Sequence, residues 1–563
     1  MQQATNEILQ ELEKRNISTL RELDRLKAEI SHKHRLKQSP KLIHLFLSAN
    51  KKQREKFSKL LITKPIRTSS GVAPLALFAK PLACPPQAQC IFCPGGPGSY
   101  FGNVPKSYTG NEPASRRAAR NLYDPYLQIF NRLEHYALLN QSFDKLEVIV
   151  MGGTFMYYPE NYRKNFIASI YGAVNLFSKI FFSNNEFNFD KFKEFFELPC
   201  DLNNKERTKR IHEKILNLKD NNPSLEKEKL ENETSKTRII SLLIETRPDL
   251  GNLQEGNEIL SYGGTKVELG VQSVYDEDLD FVKRGHTVQD SIESLRILKD
   301  LGFKINVHYM LGLTQDRKKD LEGLKKLFSD QDFRPDMLKI YPCLVIPGTL
   351  LHELWRQGKY APISVDEAVH LIGEAKKFIP EWIRVQRIQR DIPSTVISGG
   401  PIRTNLRQDV KGYCKKHVIK CRCIRCREPM NKEIDWDNVK LIMRDYEASK
   451  GKEFFISYED VNNDLILGFC RIRFPSQSLR KEITDKTAII RELHVYGPAV
   501  EIGKKGSVQH KGLGVKLMEK AEEIARQNNK DKIVVIAGIG VKNYFINKLG
   551  YKKDGSYVSK LIA

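Results

Sequence analysis

The stretch Cys84-Pro-Pro-Gln-Ala-Gln-Cys90-Ile-Phe-Cys93-Pro-Gly-Gly-Pro-Gly98 sets the tightest limit on what this chain can fold into. Three thiols fall within ten residues, two of them only two residues apart, and a glycine-rich turn follows at once. A loop of this kind wraps its sulfurs around one inorganic centre. Three ligands are one short of the four that close an iron–sulfur cube, so one iron would stay open for something else. The spacing alone also admits a structural zinc knuckle completed by a distant fourth ligand.

At 563 residues the chain exceeds one hydrophobic core, and about two to four domains are expected. Lys+Arg 92 against Asp+Glu 69 gives a net charge of +23, which favours a polyanionic partner, nucleic acid first. A merely soluble basic protein is the blander reading of the same charge. No run of about 20 apolar residues spans a membrane, and the start Met1-Gln-Gln-Ala-Thr-Asn-Glu lacks the form of a signal peptide. Most of the ten cysteines fall into two tight clusters, the pattern of metal ligands in a reducing, cytoplasmic setting.

Residues 1 to about 30 read as one amphipathic helix through Ile8, Leu9, Leu12, Leu20, Leu23 and Leu26. From Lys33 to Arg67 eleven Lys and Arg meet a single acid, Glu55, a bias suited to a phosphate backbone. Residues 1–70 are therefore expected to form a basic helical region that binds nucleic acid, which the family resemblance given below makes tRNA. Apolar strands then alternate with helical segments: Leu146 to Met151, Arg238 to Ile244, Lys266 to Val271, Lys304 to Tyr309 and Leu338 to Ile346. That alternation predicts an α/β fold with parallel strands, a full or partial TIM-type barrel over residues 71–400, with its site at the C-terminal strand ends. Residues 183–236, rich in Asn, Lys and Glu, read as a mobile surface insertion. Cys421-Arg-Cys423-Ile-Arg-Cys426 suits a structural zinc in a linker over residues 401–432, with Cys414 or His417 as the fourth ligand; a second iron–sulfur cluster is the less favoured alternative. From residue 433 antiparallel strands are expected at Phe454 to Tyr458, Leu465 to Phe474 and Thr487 to Tyr496. The turn Gln509-His-Lys-Gly512-Leu513-Gly514 opens a helix, where free backbone N–H groups suit a pyrophosphate.

Several strings resemble known families. Cys-x5-Cys-x2-Cys is similar to the cluster loop of radical S-adenosylmethionine enzymes, with a longer first gap than most of them have. The glycine turn ahead of a helix, with Leu549-Gly550-Tyr551 later, resembles the coenzyme A loop of GNAT acetyltransferases. Ser107-Tyr-Thr-Gly-Asn-Glu-Pro113, Met151-Gly-Gly-Thr-Phe155, Glu245-Thr-Arg-Pro-Asp249, Gly270-Val-Gln-Ser-Val274 and Arg491-Glu-Leu-His-Val-Tyr-Gly497 together resemble the catalytic subunit of Elongator and its free-standing archaeal and bacterial relatives, the tRNA carboxymethyluridine synthases. The resemblance runs from about Pro65 to the C-terminus, apart from the insertion.

That resemblance implies a radical SAM barrel joined through a zinc linker to a C-terminal GNAT domain, residues 433–563. Cys84, Cys90 and Cys93 would hold a 4Fe-4S cluster that reductively cleaves S-adenosylmethionine. Gly152, Gly153 and Thr154 would take its amino group, and Glu245, Arg247, Gln272 and Lys339 would line the same pocket. The radical so formed would act on acetyl-CoA, and the acetyl carbon would add to carbon 5 of a wobble uridine in the tRNA anticodon loop, leaving a carboxymethyl group after hydrolysis. Acetyl-CoA would be gripped by Lys145, Glu492, Leu493, His494, Val495, Gln509, Gly512, Leu513, Gly514, Val515 and Tyr544. Glu492 would position the hydrolytic water and Tyr544 would protonate the departing thiolate, although the family's second tyrosine is Phe545 here. An external electron donor is implied; a homodimer is left open. Two rival readings stand beside this one: a protein lysine acetyltransferase with a structural iron–sulfur or zinc domain, and a non-catalytic RNA-binding zinc protein.

Overall fold

The computed structural model describes residues 1–63, 70–403, 405–430, 432–497 and 512–562. Seven strands form one wholly parallel sheet in sequential order: β1 (Ala73–Phe78), β2 (Lys145–Met151), β3 (Arg238–Thr246), β4 (Lys266–Gln272), β5 (Lys304–Leu311), β6 (Met337–Pro342) and β7 (Arg384–Arg387). Among the described residues β1 and β7 do not pair, so the sheet is an open, partial barrel. Each strand presents alternate residues to its two faces. Leu146, Val148 and Val150 of β2 pack outward with Phe130, Leu133, Ile170 and Phe177 of the flanking helices, whereas Glu147 and Met151 face the lumen cavities described below.

A second sheet has the order β8 (Val439–Ala448), β9 (Gly451–Asp460), β10 (Leu465–Phe474), β11 (Thr487–Val495), β12 (Lys532–Val535), β14 (Tyr557–Leu561), β13 (Lys552–Asp554). All its pairs are antiparallel except β11–β12. Those two strands pair only from Thr487↔Lys532 to Ile490↔Val535, after which they part. One face carries Ile490, Ile533 and Val535 against Leu517, Met518 and Ala521 of the helix Leu513–Gln527. The other face carries Ile489 and Val534 into the core shared with the barrel. The sheet therefore sits under the floor of the barrel, at the N-terminal ends of its strands. Gly538 makes the approach possible, because a β-carbon there would lie 1.9 Å from the Ile240 carbonyl oxygen.

Ion pairs lock this seam. Arg491 donates to both carboxylate oxygens of Asp336 at 2.6 and 2.8 Å, Arg473 donates to Asp300 at 2.7 Å, and both arginines share Glu453. All of these side chains are essentially removed from solvent.

Several expectations need correction. The first 30 residues form two helices, Gln2–Lys14 and Leu20–Lys33, because Asn16 adopts φ 48° and Thr19 builds a capping box with Glu22. The strand expected over 338–346 ends at Pro342, and β1, β7, β8, β13 and β14 have no counterpart among the expected strands. Residues 183–236 carry regular secondary structure rather than forming a featureless surface stretch. They form the helices Phe189–Phe195, Lys205–Leu218 and Leu225–Asn232, held by Phe192, Phe196, Ile211 and Ile215 and by a buried Arg207–Glu134 pair at 2.5 Å. The expected linker does not stand apart either, since Leu406 and Val410 belong to the barrel core. Lys64 and Arg67 of the basic segment, and Gln509 of the glycine turn, lie outside the described residues.

Candidate active site: two cavities on one barrel axis

The upper cavity, about 460 Å³, lies at the C-terminal strand ends and is lined by Cys84, Cys90 and Cys93 together with Gly153, Thr154, Glu245, Gln272 and Lys339. Each thiol has its own polar neighbour. Thr154 Oγ1 lies 3.5 Å from Cys84 Sγ, Arg284 donates to Cys90 Sγ at 3.4 Å, and the Ser107 N–H donates to Cys93 Sγ at 3.3 Å. Burial pushes the Cys84 thiol up. Gly153 has φ +93°, and a β-carbon on it would fall 2.6 Å from Lys106 Cβ. Gln272 holds φ 70°, an uncommon conformation for a side-chain-bearing residue, at the end of β4.

Sequence reasoning missed the centre of this cavity. Glu268 of β4 accepts from Lys339 and His308 on one carboxylate oxygen and from Asn306 Nδ2 at 2.5 Å on the other. Glu245, Glu268 and His308 bring ligand atoms within 4.8 Å of one another, a spacing a metal could use, but the Lys339 ammonium already occupies a cation's place on Glu268. Burial would raise Glu268, and Lys339 and His308 outweigh it and hold the carboxylate ionised. Burial, and then that neighbouring carboxylate, push Glu245 up to about 8. Arg247 does not line the cavity; Asp249 and the Arg284 carbonyl engage its guanidinium, which thereby orients the arginine on Cys90.

The Glu245 shift predicts a pH dependence. A raised carboxyl pKa means that the folded protein keeps a proton which the unfolded chain releases between 4.5 and about 8. This contribution to stability is fully present below the unfolded value and is lost as pH climbs through about 8. Glu245→Gln, which cannot ionise, should flatten that part of a plot of Tm against pH. An unchanged slope would contradict the assignment.

The lower cavity, about 240 Å³, lies where β11 and β12 part and meet the barrel floor. Glu492, Leu493, His494, Ile536 and Phe545 line it from the second sheet, and Glu147, Ser241, Lys266, Lys304 and Arg384 from the barrel. Glu492 is not free to act alone: it accepts from Lys304, and from Arg471 Nε at 2.9 Å. Burial would raise its carboxyl, yet Lys304 and Arg471 hold it down at about 2. Burial lowers Lys304 itself to about 8 and His494 to about 4. The His494 imidazole is therefore neutral, and among the described residues its buried Nε2 has no partner.

Lys145 starts β2 on the same strand face as Glu147 and Met151, at the floor end of the lumen. Leu513, Gly514 and Val515 open the helix Leu513–Gln527, with Gly512 at φ 79° as its N-cap. A β-carbon on Gly514 would meet the Tyr544 hydroxyl at 3.2 Å and the Val495 side chain at 3.7 Å, so these three residues share one corner. Phe545, not Tyr544, faces the lower cavity.

The second thiol trio is more compact than the first. Cys421, Cys423 and Cys426 place their sulfurs within 4.8 Å of one another, close to the ~3.8 Å edge of a zinc tetrahedron with ~2.3 Å bonds. The buried Lys376 ammonium lies 4.0 Å from Cys426 Sγ and feels Cys414 as well. His417 is exposed and stacks on Tyr413. Cys84, Cys90 and Cys93 are set more widely: among the described residues their ligand atoms do not all lie within 4.8 Å of one another.

Comparison with known proteins agrees with this geometry. Family models match over residues 1–69 (ELP3 N-terminal domain), 84–328 (Radical SAM superfamily) and 335–416 (Radical_SAM C-terminal domain). A tRNA uridine(34) acetyltransferase of Methanocaldococcus jannaschii is 41% identical over 99% of this chain and 96% of its own length. Elongator complex protein 3 of Saccharomyces cerevisiae is 38% identical over 96% of this chain and 92% of its own. The chain belongs to the Elongator complex protein 3 family. A solved Elp3 of Methanocaldococcus infernus, lacking residues 1–46, superposes with a TM-score of 0.70 at 38% identity, covering 87% of this chain and 99% of that one. Within this Elongator complex protein 3 frame, the first trio falls inside the radical SAM match and the second lies beyond both radical SAM segments. The match to the ELP3 N-terminal domain takes in the two-helix start and the whole basic segment. Among the described residues no helix is long and apolar enough to cross a membrane.

Proposed function

We propose that this chain is a tRNA-modifying enzyme that builds a carboxymethyl group on carbon 5 of uridine 34, with acetyl-CoA as the carbon donor and S-adenosylmethionine as the radical source. The observation that carries the reading is the placement of the lower cavity. It lies in the parting of two parallel strands, as in a GNAT acyl site, yet it faces the barrel floor, opposite the thiol trio. A protein lysine acetyltransferase needs that face open to a peptide. Here Lys304 and Arg471 cover Glu492 from the barrel side and from β10.

The residues fit the groups this activity needs. Cys84, Cys90 and Cys93 line one cavity, as three ligands of a 4Fe-4S cluster would, and each has a polar neighbour, which tunes such a centre. When bound, that cluster supplies the electron that releases an adenosyl radical from S-adenosylmethionine. Gly153, which lets Lys106 pack closely, and Thr154 beside Cys84 line the same cavity and would face an amino acid group bound there. Cys421, Cys423 and Cys426 suit zinc, with Cys414 favoured over His417 as the fourth ligand because it shares the Lys376 environment. Neutral His494 accepts the proton of a hydrolytic water, and ionised Glu492 keeps Lys304 and Arg471 in place around it. The one-sided charge of residues 33–59 supplies phosphate contacts for the tRNA.

The test is anaerobic reconstitution with iron and sulfide, followed by incubation with S-adenosylmethionine, acetyl-CoA, dithionite and tRNA and by nucleoside mass analysis. Carboxymethyluridine at position 34 is expected. Acetylated protein with unmodified tRNA would favour the lysine acetyltransferase reading.

A further inference from the structure

The two cavities are the ends of one polar lumen. On every strand from β2 to β7, a residue facing the lower cavity is followed on the same strand by one facing the upper: Glu147 then Met151, Ser241 then Glu245, Lys266 then Glu268, Lys304 then His308, Met337 then Lys339, Arg384 then Arg387. A closed-core barrel fills these positions with branched apolar side chains. Here most of them are charged or hydrogen-bonding, although burying such groups is costly.

Only a thin partition separates the cavities. Asn306 lies on β5 between Lys304 and His308 and is 1% exposed. Its Nδ2 donates upward to Glu268 at 2.5 Å and sideways to Gln386 Oε1 at 2.7 Å. Glu268 lines the upper cavity and Gln386 the lower. Among the described residues Asn306 Oδ1 has no partner, a buried acceptor left open at the midpoint of the lumen.

We propose that the barrel lumen is the route by which the acyl-pantetheine arm of acetyl-CoA reaches the thiol-lined end, with Asn306, Gln386 and Glu268 as a hydrogen-bonded partition that the arm parts. This inference rests on the function proposed above. It adds a path through the barrel in place of one over its surface. The arm suits the path in three respects. Its acyl end starts in the lower cavity, at the floor. The lumen height, seven residues of β2 at ~3.3 Å each, or ~23 Å, is of the order of an extended pantetheine. Its two amides match a wall of side-chain donors and acceptors, and one amide N–H satisfies Asn306 Oδ1 as the partition opens.

The route is tested with bromoacetyl-CoA on cluster-loaded full-length Asn306→Cys. The new thiol displaces bromide and carries a coenzyme A-sized adduct, read on the peptide containing position 306. An adduct that excess acetyl-CoA suppresses is the expected result. No adduct while acetyl-CoA still binds, or an adduct that acetyl-CoA does not suppress, overturns the route. A second variant, Asn306→Phe, plugs the lumen: acetyl-CoA binding should persist, and deuterium transfer from methyl-deuterated acetyl-CoA into 5′-deoxyadenosine should be lost. If the unsubstituted enzyme transfers deuterium and Asn306→Phe transfers it equally, the route fails and the function stands. If the unsubstituted enzyme transfers none, the function itself fails.

Discussion

Asp336→Ala is expected to lower stability by about 3–5 kcal/mol, because it leaves buried arginines without their counter-charge. Asp336 precedes β6 and accepts the Ile305 N–H at 2.8 Å, so it also ties two barrel strands. Its carboxylate meets Arg491 at 2.6 and 2.8 Å and Arg471 at 3.6 Å, and all three side chains are buried. Burial would raise its pKa, but the two arginines hold it far below the usual range. A depressed carboxyl pKa contributes stability that is present above the unfolded value and lost as pH falls. Acid should therefore erode this contribution only as pH falls below the ordinary carboxyl value of 3.8, and progressively from there. Urea denaturation at neutral pH measures the loss. A change below about 1 kcal/mol, the scale of an exposed pair, would show that the seam does not hold the halves together. Because Arg471 also reaches Glu492, the same substitution should weaken acetyl-CoA binding.

Cys90→Ala and Cys93→Ala are each expected to remove tRNA product to background while acetyl-CoA binding persists. The two thiols line the upper cavity and take no part in the lower one. Losing either leaves too few ligands for a cube with one open iron. Iron content and the visible absorbance of the reconstituted protein should fall together with product. Retention of product with two cysteines would contradict the assignment of this trio. Arg284→Met is the milder companion: it removes the donor to Cys90 and should shift the reduction potential before it abolishes iron binding.

The thiol loops and the main strands were legible because their signals are local. Cys84 to Cys93 is a ten-residue motif, and the strands β2 to β5 are marked by closely spaced Val, Leu and Ile. The lumen was legible in principle. Lys266-x-Glu268 and Lys304-x-Asn306-x-His308 place polar residues at period two inside strands, which marks one polar face, but those stretches were read only as strands. The fate of Glu492 was not legible, since Lys304 stands 188 residues away and only the folded seam brings them together. The same holds for Arg491 and Asp336, 155 residues apart. Residues 183–236 misled because Asn, Lys and Glu dominate the composition. Their fold is anchored by a few aromatics, with Phe181 and Phe196 at 5.7 Å and Phe192 and Phe196 at 4.9 Å. The N-terminal pair of helices reads as one because the apolar spacing continues across Asn16, and only the capping box of Thr19 and Glu22 marks the second start.

The central claim is that the thiol-lined cavity and the cavity between β11 and β12 serve one reaction inside one barrel. The most direct measurement follows the hydrogen: reconstituted enzyme is incubated anaerobically with S-adenosylmethionine, methyl-deuterated acetyl-CoA, reductant and tRNA, and the 5′-deoxyadenosine is weighed by mass spectrometry. The account predicts that it carries deuterium taken from the acetyl group. Formation of 5′-deoxyadenosine without deuterium, by enzyme that holds both its cluster and acetyl-CoA, would contradict it.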